Sequence, residues 1–301
     1  MTKQFKAEML LLLVVTFWGI SYYLMDISLQ ELEPFTLNAF RFLGAFTAAV
    51  ILAFPKLKSV NRTTIKYSFY IGVALIFVYI GATFGVMYTS LSNAGFLCAL
   101  TVIFTPIFGY IFKGTIPDKK LSFIVVACVV GIGLLTLNEN LKPAVGDILS
   151  LMCAMAYAGD LLITETAVAK QEVNAFQLGV FQLGFAGFFN LILAFLLETP
   201  HLPQSPEVWR SAIFLAVFCT GVAFIIQAVA QQHTTASHVG VIFTLEPVIA
   251  GFVAYFLAGE VLLPRAYLGA VILVGSLLIM EMDPKIFRNR KLNRSQRDRI
   301  V

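Results

Sequence analysis

The stretch YTSLSNAGFLCAL, residues 88–100, decides the fold because it recurs as HTTASHVGVIFTL at residues 233–245. The two stretches align without a gap at a constant offset of 145 residues, which persists as far as Gly114 and Gly259. Self-similarity at a fixed spacing is typical of an internal repeat. We therefore predict that the chain consists of two related halves.

The correspondence continues upstream, with offsets that change only between apolar segments. The offset is 141 for Arg41 and Gln182, and 139 for Trp18 and Tyr157. A diverged duplication leaves this pattern, whereas chance similarity between apolar segments is the alternative interpretation. The predicted divisions are a first half at residues 1–137, a second half at 138–284 and a basic tail at 285–301.

Composition excludes a soluble protein. Hydrophobic residues form 59% of the chain and charged residues 13%, whereas soluble domains carry roughly 25% charged residues. The mean hydropathy is +0.86. The four cysteines lie within apolar segments and form no CxxC pair, which favours buried thiols over disulfides or metal ligands.

Ten apolar segments have the length of transmembrane helices. A bilayer core of about 30 Å requires roughly 20 residues of helix. We predict an all-α polytopic membrane protein whose ten transmembrane helices lie at residues 8–25, 34–54, 64–87, 93–112, 120–137, 147–167, 175–197, 208–230, 237–257 and 265–282.

The distribution of lysine and arginine predicts the orientation, because cytoplasmic loops are enriched in these residues. With the N-terminus in the cytoplasm, the cytoplasmic side holds every lysine and arginine except Arg41, Lys142, Arg210 and Arg265. Each half has five spans, an odd number, so the second half enters the membrane inverted. We therefore predict two inverted five-helix repeats with both termini in the cytoplasm. Inverted repeats are typical of transporters that bind a substrate near the midplane and work by alternating access.

The chain resembles the drug/metabolite transporter superfamily, specifically its ten-helix EamA-type branch. The residues that carry the resemblance are Trp18-Gly19, Pro34, Arg41, TSLSNAGFL at 89–97, LEPV at 245–248 and Gly259-Glu260. It implies a central cavity lined by helices 1–4 and 6–9, and export or exchange of amino acids or related metabolites.

Two residues depart from the pattern. Val102 stands where the ninth span has Pro247, so we expect the two halves to bend differently there unless Pro106, one turn later, compensates. Asp160 is an unexpected carboxylate in mid-helix.

Three ionisable residues lie well inside predicted spans: Arg41, Asp160 and Glu246. Such a residue costs about 2.5–3.5 kcal/mol on insertion scales and usually faces a cavity or a partner. Our hypothesis is that Arg41 binds an anionic group, while Asp160 or Glu246 binds an amine or a coupling proton. The alternative is a structural Arg41–Glu246 ion pair that joins the two halves.

Uncharged polar residues recur at helical spacing in three of the spans, and such stripes either line a cavity or join helices by hydrogen bonds. Trp18 lies too deep for an interfacial belt, which favours a cavity wall, with packing between helices as the alternative. The predicted substrate-binding residues are Trp18, Arg41, Tyr79, Thr83, Tyr157, Asp160, Gln182, Gln227 and Glu246.

Taken together, these features predict a secondary transporter in the plasma (inner) membrane. A passive small-molecule channel and a membrane-embedded lipid-modifying enzyme are the alternatives. The enzyme is disfavoured because the three histidines lie at or near loops and no phosphate-binding glycine loop occurs. We expect a monomer that binds a small molecule and the lipid bilayer, and we expect no cofactor, no metal ion and no nucleic acid.

Overall fold

The computed structural model describes residues 3–114, 119–136, 144–243, 245–257, 259 and 263–281. These residues form twelve helices in our numbering and no strand, which confirms the all-α prediction for the described part of the chain. The helices are α1 (Lys3–Ser28), α2 (Pro34–Leu57), α3 (Arg62–Tyr88), α4 (Leu91–Cys98), α5 (Thr101–Lys113), α6 (Lys119–Thr136), α7 (Val145–Val168), α8 (Ala175–Leu197), α9 (Pro206–Ala230), α10 (Ala236–Phe243), α11 (Glu246–Leu257) and α12 (Pro264–Glu281).

Within the described residues, seven helical stretches are long and apolar enough to cross a membrane. They are α1, α2, α3, the stretch Asn93–Phe112 that contains most of α4 and α5, α7, α8 and α9. Helix α6, the pair α10–α11 and α12 occupy the places of the predicted fifth, ninth and tenth spans. The ends of the predicted fifth and tenth spans and the basic tail at 285–301 lie outside the described residues.

Helices α4–α5 and α10–α11 break at equivalent places. α10 begins and ends 145 residues after α4, and α11 begins 145 residues after α5. Gly114 after α5 and Gly259 after α11 have φ angles of 69° and 68°, a left-handed conformation that favours glycine. The offset read from the sequence therefore also holds for the backbone.

The presence of Val102 where the second half has Pro247 does not move the break between the helices. The break depends on a tight turn rather than on proline, because Leu100 N–H bonds to the carbonyl of Leu97 at 3.1 Å. The equivalent bond, from Leu245 N–H to the carbonyl of Ile242, measures 3.2 Å. A turn closed by bonds between residues three apart breaks both helices without a proline at position 102.

Contacts between helices keep the same pattern when the two halves are exchanged. α2 packs on α8 and α6 packs on α12, so equivalent helices meet each other. α1 contacts α9, α10 and α11, and α7 correspondingly contacts α3, α4 and α5. The first helix of each half therefore lies among helices of the other half, and the α2–α8 and α6–α12 pairs add further contact between the halves.

Close contact between α3 and α7 requires glycine. A Cβ atom at Gly146 would lie 2.5 Å from the backbone nitrogen of Thr89 and 2.7 Å from the carbonyl oxygen of Gly85. Both neighbours are backbone atoms, so no side chain can move away to make room. Small residues of this kind let membrane helices approach closely.

We expect Gly146→Ala to destabilise the protein by about 1–3 kcal/mol, because an added methyl overpacks this contact. Gly159→Ala on the same helix is the matched control, since nothing lies within 4 Å of a Cβ there. Thermal unfolding of the purified protein in detergent measures both variants. Equal melting temperatures for the two variants would contradict the close contact.

Glutamates connect the loop after α1 with the loop after α8. The carboxylate of Glu198 accepts hydrogen bonds from the backbone N–H groups of Phe35 and Thr36, both at 2.7 Å, and from the Thr36 hydroxyl at 2.8 Å. In return, Glu33 accepts from the N–H of Thr199 at 3.0 Å. The negative charge of Glu198 thus lies at the N-terminus of α2, where the helix dipole favours it.

Glu31 makes a similar connection to the start of α9. Its carboxylate accepts from the backbone N–H groups of Gln204 and Ser205. Hydrogen bonding by Ser205 and Gln204 holds the pKa of Glu31 below its usual value. Because this pKa is lowered in the folded chain, the contact stabilises the fold at neutral pH, and its contribution is lost as the pH falls through the folded-state value.

We expect Glu198→Ala to lower stability by about 0.5–2 kcal/mol, the usual loss when a helix-capping acceptor is removed. Glu207→Ala, which removes an exposed carboxylate from the first turn of α9, is the control. Melting temperatures in detergent compare the two. A Glu198→Ala protein as stable as the control would show that these loop contacts contribute nothing.

Candidate functional site

A small cavity lies at the centre of the bundle, between α1, α2, α3, α4, α7, α9 and α11. It has a volume of about 50 Å³, enough for a few water molecules, whereas pockets for drug-sized ligands measure about 300–1,000 Å³. A metabolite therefore requires the surrounding helices to move apart. The lining residues are Trp18, Ser21, Tyr22, Met25, Arg41, Val78, Tyr79, Ala82, Cys98, Cys153, Tyr157, Phe224 and Glu246.

Glu246 supplies the negative charge of the cavity. It is the first residue of α11, so the break between α10 and α11 places its carboxylate at a helix N-terminus, where the helix dipole favours an anion. Pro247 fits the first helical turn, where its missing N–H costs no helical bond. The Tyr22 hydroxyl donates a hydrogen bond to Glu246 Oε1 at 2.8 Å. The side chain is 9% exposed.

Arg41 supplies the positive charge and is buried. Its Nε donates a hydrogen bond to the Thr220 hydroxyl at 3.0 Å, and its guanidinium carbon lies 4.8 Å from the centroid of the Tyr79 ring. Such cation–π contacts stabilise a desolvated guanidinium. One guanidinium nitrogen, Nη1, has no hydrogen-bond partner among the described residues. This nitrogen is a free donor for an anionic group.

Arg41 and Glu246 do not form the structural ion pair that was the alternative hypothesis. Arg41 bonds to Thr220, and Glu246 accepts from Tyr22. No ion pair joins the two side chains, although both line the same cavity. Each charge is therefore available to a third group.

A π-helical segment of α9, Leu215–Val222, holds two of these side chains in place. The Trp18 indole N–H donates to the carbonyl of Cys219 within this segment at 2.9 Å, and the Thr220 hydroxyl is the acceptor for Arg41. π-Helical turns are rare and concentrate at functional sites. Here the segment orients one aromatic and one cationic group of the cavity.

Aromatic rings form the apolar wall beside Trp18. The centroid of the Trp18 ring lies 4.9 Å from that of Phe243, 5.4 Å from Phe224 and 5.7 Å from Tyr157. Tyr157 and Phe243 are parallel to within 1°. These contacts give the cavity a rigid apolar wall between its charged residues.

Asp160 lies behind Tyr157 and does not line the cavity. The Tyr157 hydroxyl donates to Gln227 Oε1 at 2.7 Å, and Gln227 Nε2 donates to Asp160 Oδ2 at 3.4 Å. Two hydrogen bonds thus connect the cavity wall to a carboxylate that is 1% exposed.

The structure brings together most of the predicted substrate-binding residues. Trp18, Arg41, Tyr79, Tyr157 and Glu246 line the cavity, and Asp160 and Gln227 connect to it through Tyr157. Thr83 and Gln182 are buried but do not line it, and Thr83 instead donates to Asn38 Oδ1 at 3.2 Å.

Sequence reasoning missed Tyr22, which holds Glu246. Its signal was available, because Tyr22 follows Trp18 by four residues on α1 and so shares the same helix face. Ser21 and Cys98 of the cavity wall were also missed. Both are small residues of kinds that recur throughout the apolar segments, so neither stands out in the sequence.

The chain is similar over nearly its whole length to a transporter family and to proteins described as transporters. The EamA-like transporter family matches it twice, over residues 5–137 and 144–282. A protein of Archaeoglobus fulgidus described as an uncharacterized transporter is 28% identical over 281 residues, which cover 93% of this chain and 87% of the relative. A second protein of that organism with the same description is 24% identical over 263 residues, covering 85% of this chain and 90% of the relative.

A solved crystal structure has a similar fold. Its chain superposes with a TM-score of 0.69 at 15% identity, covering 92% of the present chain and 96% of its own. At that identity the likeness concerns the fold alone.

Proposed function

The chain belongs to the EamA-like transporter family, and from this premise we propose that it is a secondary transporter that exports or exchanges amino acids or related small metabolites by alternating access. The family and the apolar helices make it a multi-pass membrane protein. The finer topology is part of the proposal: ten transmembrane helices, both termini in the cytoplasm, and residence in the plasma (inner) membrane. The distribution of lysine and arginine supports that orientation.

The pair of opposite charges in one cavity supports a zwitterionic metabolite, such as an amino acid, as the substrate. Arg41 offers a free guanidinium nitrogen, and Glu246 accepts only the Tyr22 hydroxyl among the described residues. A zwitterionic metabolite carries a carboxylate for the first and an ammonium group for the second. Charge-assisted hydrogen bonds of this kind are stronger than neutral ones.

The contacts between the halves support alternating access. Arg41 comes from the first half and Glu246 from the second, so a bound zwitterion would contact both. Helix contacts keep their pattern when the halves are exchanged, as expected for inverted repeats that rock about a central site. The two matched family segments, one in each half, agree with the proposed division at residues 137 and 138.

Counterflow in proteoliposomes tests this function. Vesicles loaded with one unlabelled amino acid should accumulate the same labelled amino acid transiently, with saturable kinetics and competition by related zwitterions. Flux that never saturates would contradict a carrier and favour a channel. No exchange of any amino acid or related zwitterion, by protein that is monodisperse and reconstituted, would overturn the substrate class.

A further inference from the structure

A second buried polar group lies behind the cavity, between α7 and α9. It consists of Asp160 and Thr164 on α7, Gln227 on α9 and Gln231 directly after α9, and all four side chains are at most 3% exposed. Gln231 Nε2 donates to the carbonyl of Leu161 at 3.2 Å, which joins the two helices at this level. The substrate site proposed above has no use for a carboxylate here, because Glu246 already supplies the acid of the cavity.

Two oxygen atoms in this group lack a partner. Asp160 Oδ1 and Thr164 Oγ1 are buried and make no hydrogen bond to any described residue. The other carboxylate oxygen of Asp160 receives one long bond, 3.4 Å, from Gln227. No lysine, arginine or histidine of the described chain forms an ion pair with this carboxylate. An uncompensated buried carboxylate is costly and calls for a cationic ligand.

The orientation of Gln227 favours a proton over a metal cation. Its Oε1 accepts from the Tyr157 hydroxyl, so its Nε2 hydrogens face Asp160. A metal cation would meet these N–H donors, whereas a hard cation needs a shell of several oxygen ligands. A proton needs only the carboxylate oxygen itself, and Asp160 Oδ1 is free to take it.

A chain of polar groups leads from Asp160 toward the C-terminal ends of α7 and α9. Thr164 lies one turn beyond Asp160 on the same helix face. Glu165 accepts a hydrogen bond from the N–H of Ala236 at 3.1 Å, which brings the turn after α9 beside that end of α7. Thr234 in this turn also has a buried hydroxyl without a partner among the described residues.

From these observations we propose that Asp160 is the coupling-proton site of the transporter. A hydronium ion gives its proton to Asp160 Oδ1, which forms a neutral carboxylic acid and water. The same O–H bond later breaks, and the proton passes to a water molecule on the other side of the membrane. The hydrogen bonds Asp160–Gln227–Tyr157 connect this site to the cavity, so that substrate against Tyr157 and a proton on Asp160 affect each other. The inference rests on the proposed transport function.

The titratable side chains around Asp160 are few. Tyr157 on α7 is the nearest one on its own helix, and Tyr79 on α3 and Glu246 on α11 lie beyond it around the cavity. Gln227 on α9 and Gln231 directly after it face Asp160 and do not titrate. Glu165, five residues further along α7, is only partly buried and accepts from the N–H of Ala236. Of the buried acids that line the adjoining cavity, Glu246 is therefore the one whose titration must be separated from that of Asp160.

Infrared spectroscopy of the protein in lipid nanodiscs tests the site without requiring transport. In an E246Q background, lowering the pH should produce the C=O stretching band of a buried carboxylic acid, and D160N should remove that band. E246Q/D147N is the matched control, because it removes another buried carboxylate of α7 that is already hydrogen-bonded to Thr89 and to the N–H of Ala144. E246Q/Q227L keeps the acid and should shift the pH at which the band appears, which tests the site even if D160N folds poorly.

Each outcome is decisive. A band that persists unchanged in E246Q/D160N overturns the proposal. So does a sodium-dependent rise in the melting temperature that D160N abolishes, because it would assign the site to a metal cation. An Asp160-dependent band in a protein that exchanges no zwitterion leaves the proton site standing and refutes the proposed substrates. Exchange without such a band refutes the proton site alone.

Discussion

We expect Glu246→Gln to lower the rate of exchange at subsaturating zwitterion roughly ten- to a hundredfold. A hydrogen bond to a charged group contributes about 1.5–3 kcal/mol, and each 1.4 kcal/mol corresponds to about a tenfold change in affinity. The substituted amide keeps the shape of the side chain and can still accept from the Tyr22 hydroxyl. The protein should therefore fold normally while it loses the partner of the substrate ammonium group.

Two variants separate charge from structure at this position. Tyr22→Phe removes the hydroxyl that orients Glu246 but leaves the negative charge, so we expect a smaller loss than with Glu246→Gln. Glu207→Gln neutralises an exposed carboxylate at the start of α9 and should have no effect on exchange. If Glu246→Gln transports as well as the Glu207→Gln control, Glu246 does not bind substrate.

The second large effect is expected for Arg41→Lys, which keeps the positive charge. Lysine cannot place one nitrogen on the Thr220 hydroxyl, lie over Tyr79 and still offer a second nitrogen to a carboxylate, whereas the planar guanidinium of Arg41 can. We expect the apparent affinity for carboxylate-bearing substrates to fall roughly tenfold or more. Arg41→Gln, which also removes the charge, should abolish measurable exchange.

Dissociation constants from counterflow or from ligand-induced thermal shifts measure this effect. Arg210→Lys, on the exposed first turns of α9, is the matched control for the loss of a guanidinium group. Substrate analogues that lack the carboxylate supply a second check, because their affinity should be insensitive to Arg41→Lys. Equal losses for analogues with and without a carboxylate would contradict the assigned role of Arg41.

Much of the architecture could be predicted because its signals are local or periodic. The repeat at residues 88–100 and 233–245 predicted related halves, and the structure breaks α4–α5 and α10–α11 at residues 145 apart. The break itself was not predicted, since Ala99 and Leu100 carry no turn signal and either residue continues a helix readily. A tight turn formed by such residues therefore has no recognisable sequence signal at positions 99 and 100.

The candidate site shows a similar limit. Arg41 and Glu246 were predicted because a charge inside an apolar span is conspicuous. Tyr22 was not predicted. Its place on the Trp18 face of α1 is visible in the sequence, but its hydrogen bond to Glu246, 224 residues away, is not. Asp160 was predicted as a functional residue, but its position behind Tyr157 depends on how α7 and α9 pack, which a single sequence does not state.

The π-helical segment of α9 also marks a difference in length between the two halves. The residues directly before α3 and α9, Asn61 and Ser205, both cap their helix by accepting from a backbone N–H three residues on, and they lie 144 residues apart. Beyond these helices Thr89 and Thr234 are 145 apart. Between these equivalent positions the second half is therefore one residue longer than the first, so the offset also changes outside the loops named by the sequence pattern. A π-helical turn, whose hydrogen bonds join residues five apart, accommodates one extra residue without breaking the helix. The π-helical segment carries Thr220, the acceptor for Arg41, whereas α3 is α-helical from end to end, so this departure from the symmetry of the two halves lies at the positively charged side of the cavity.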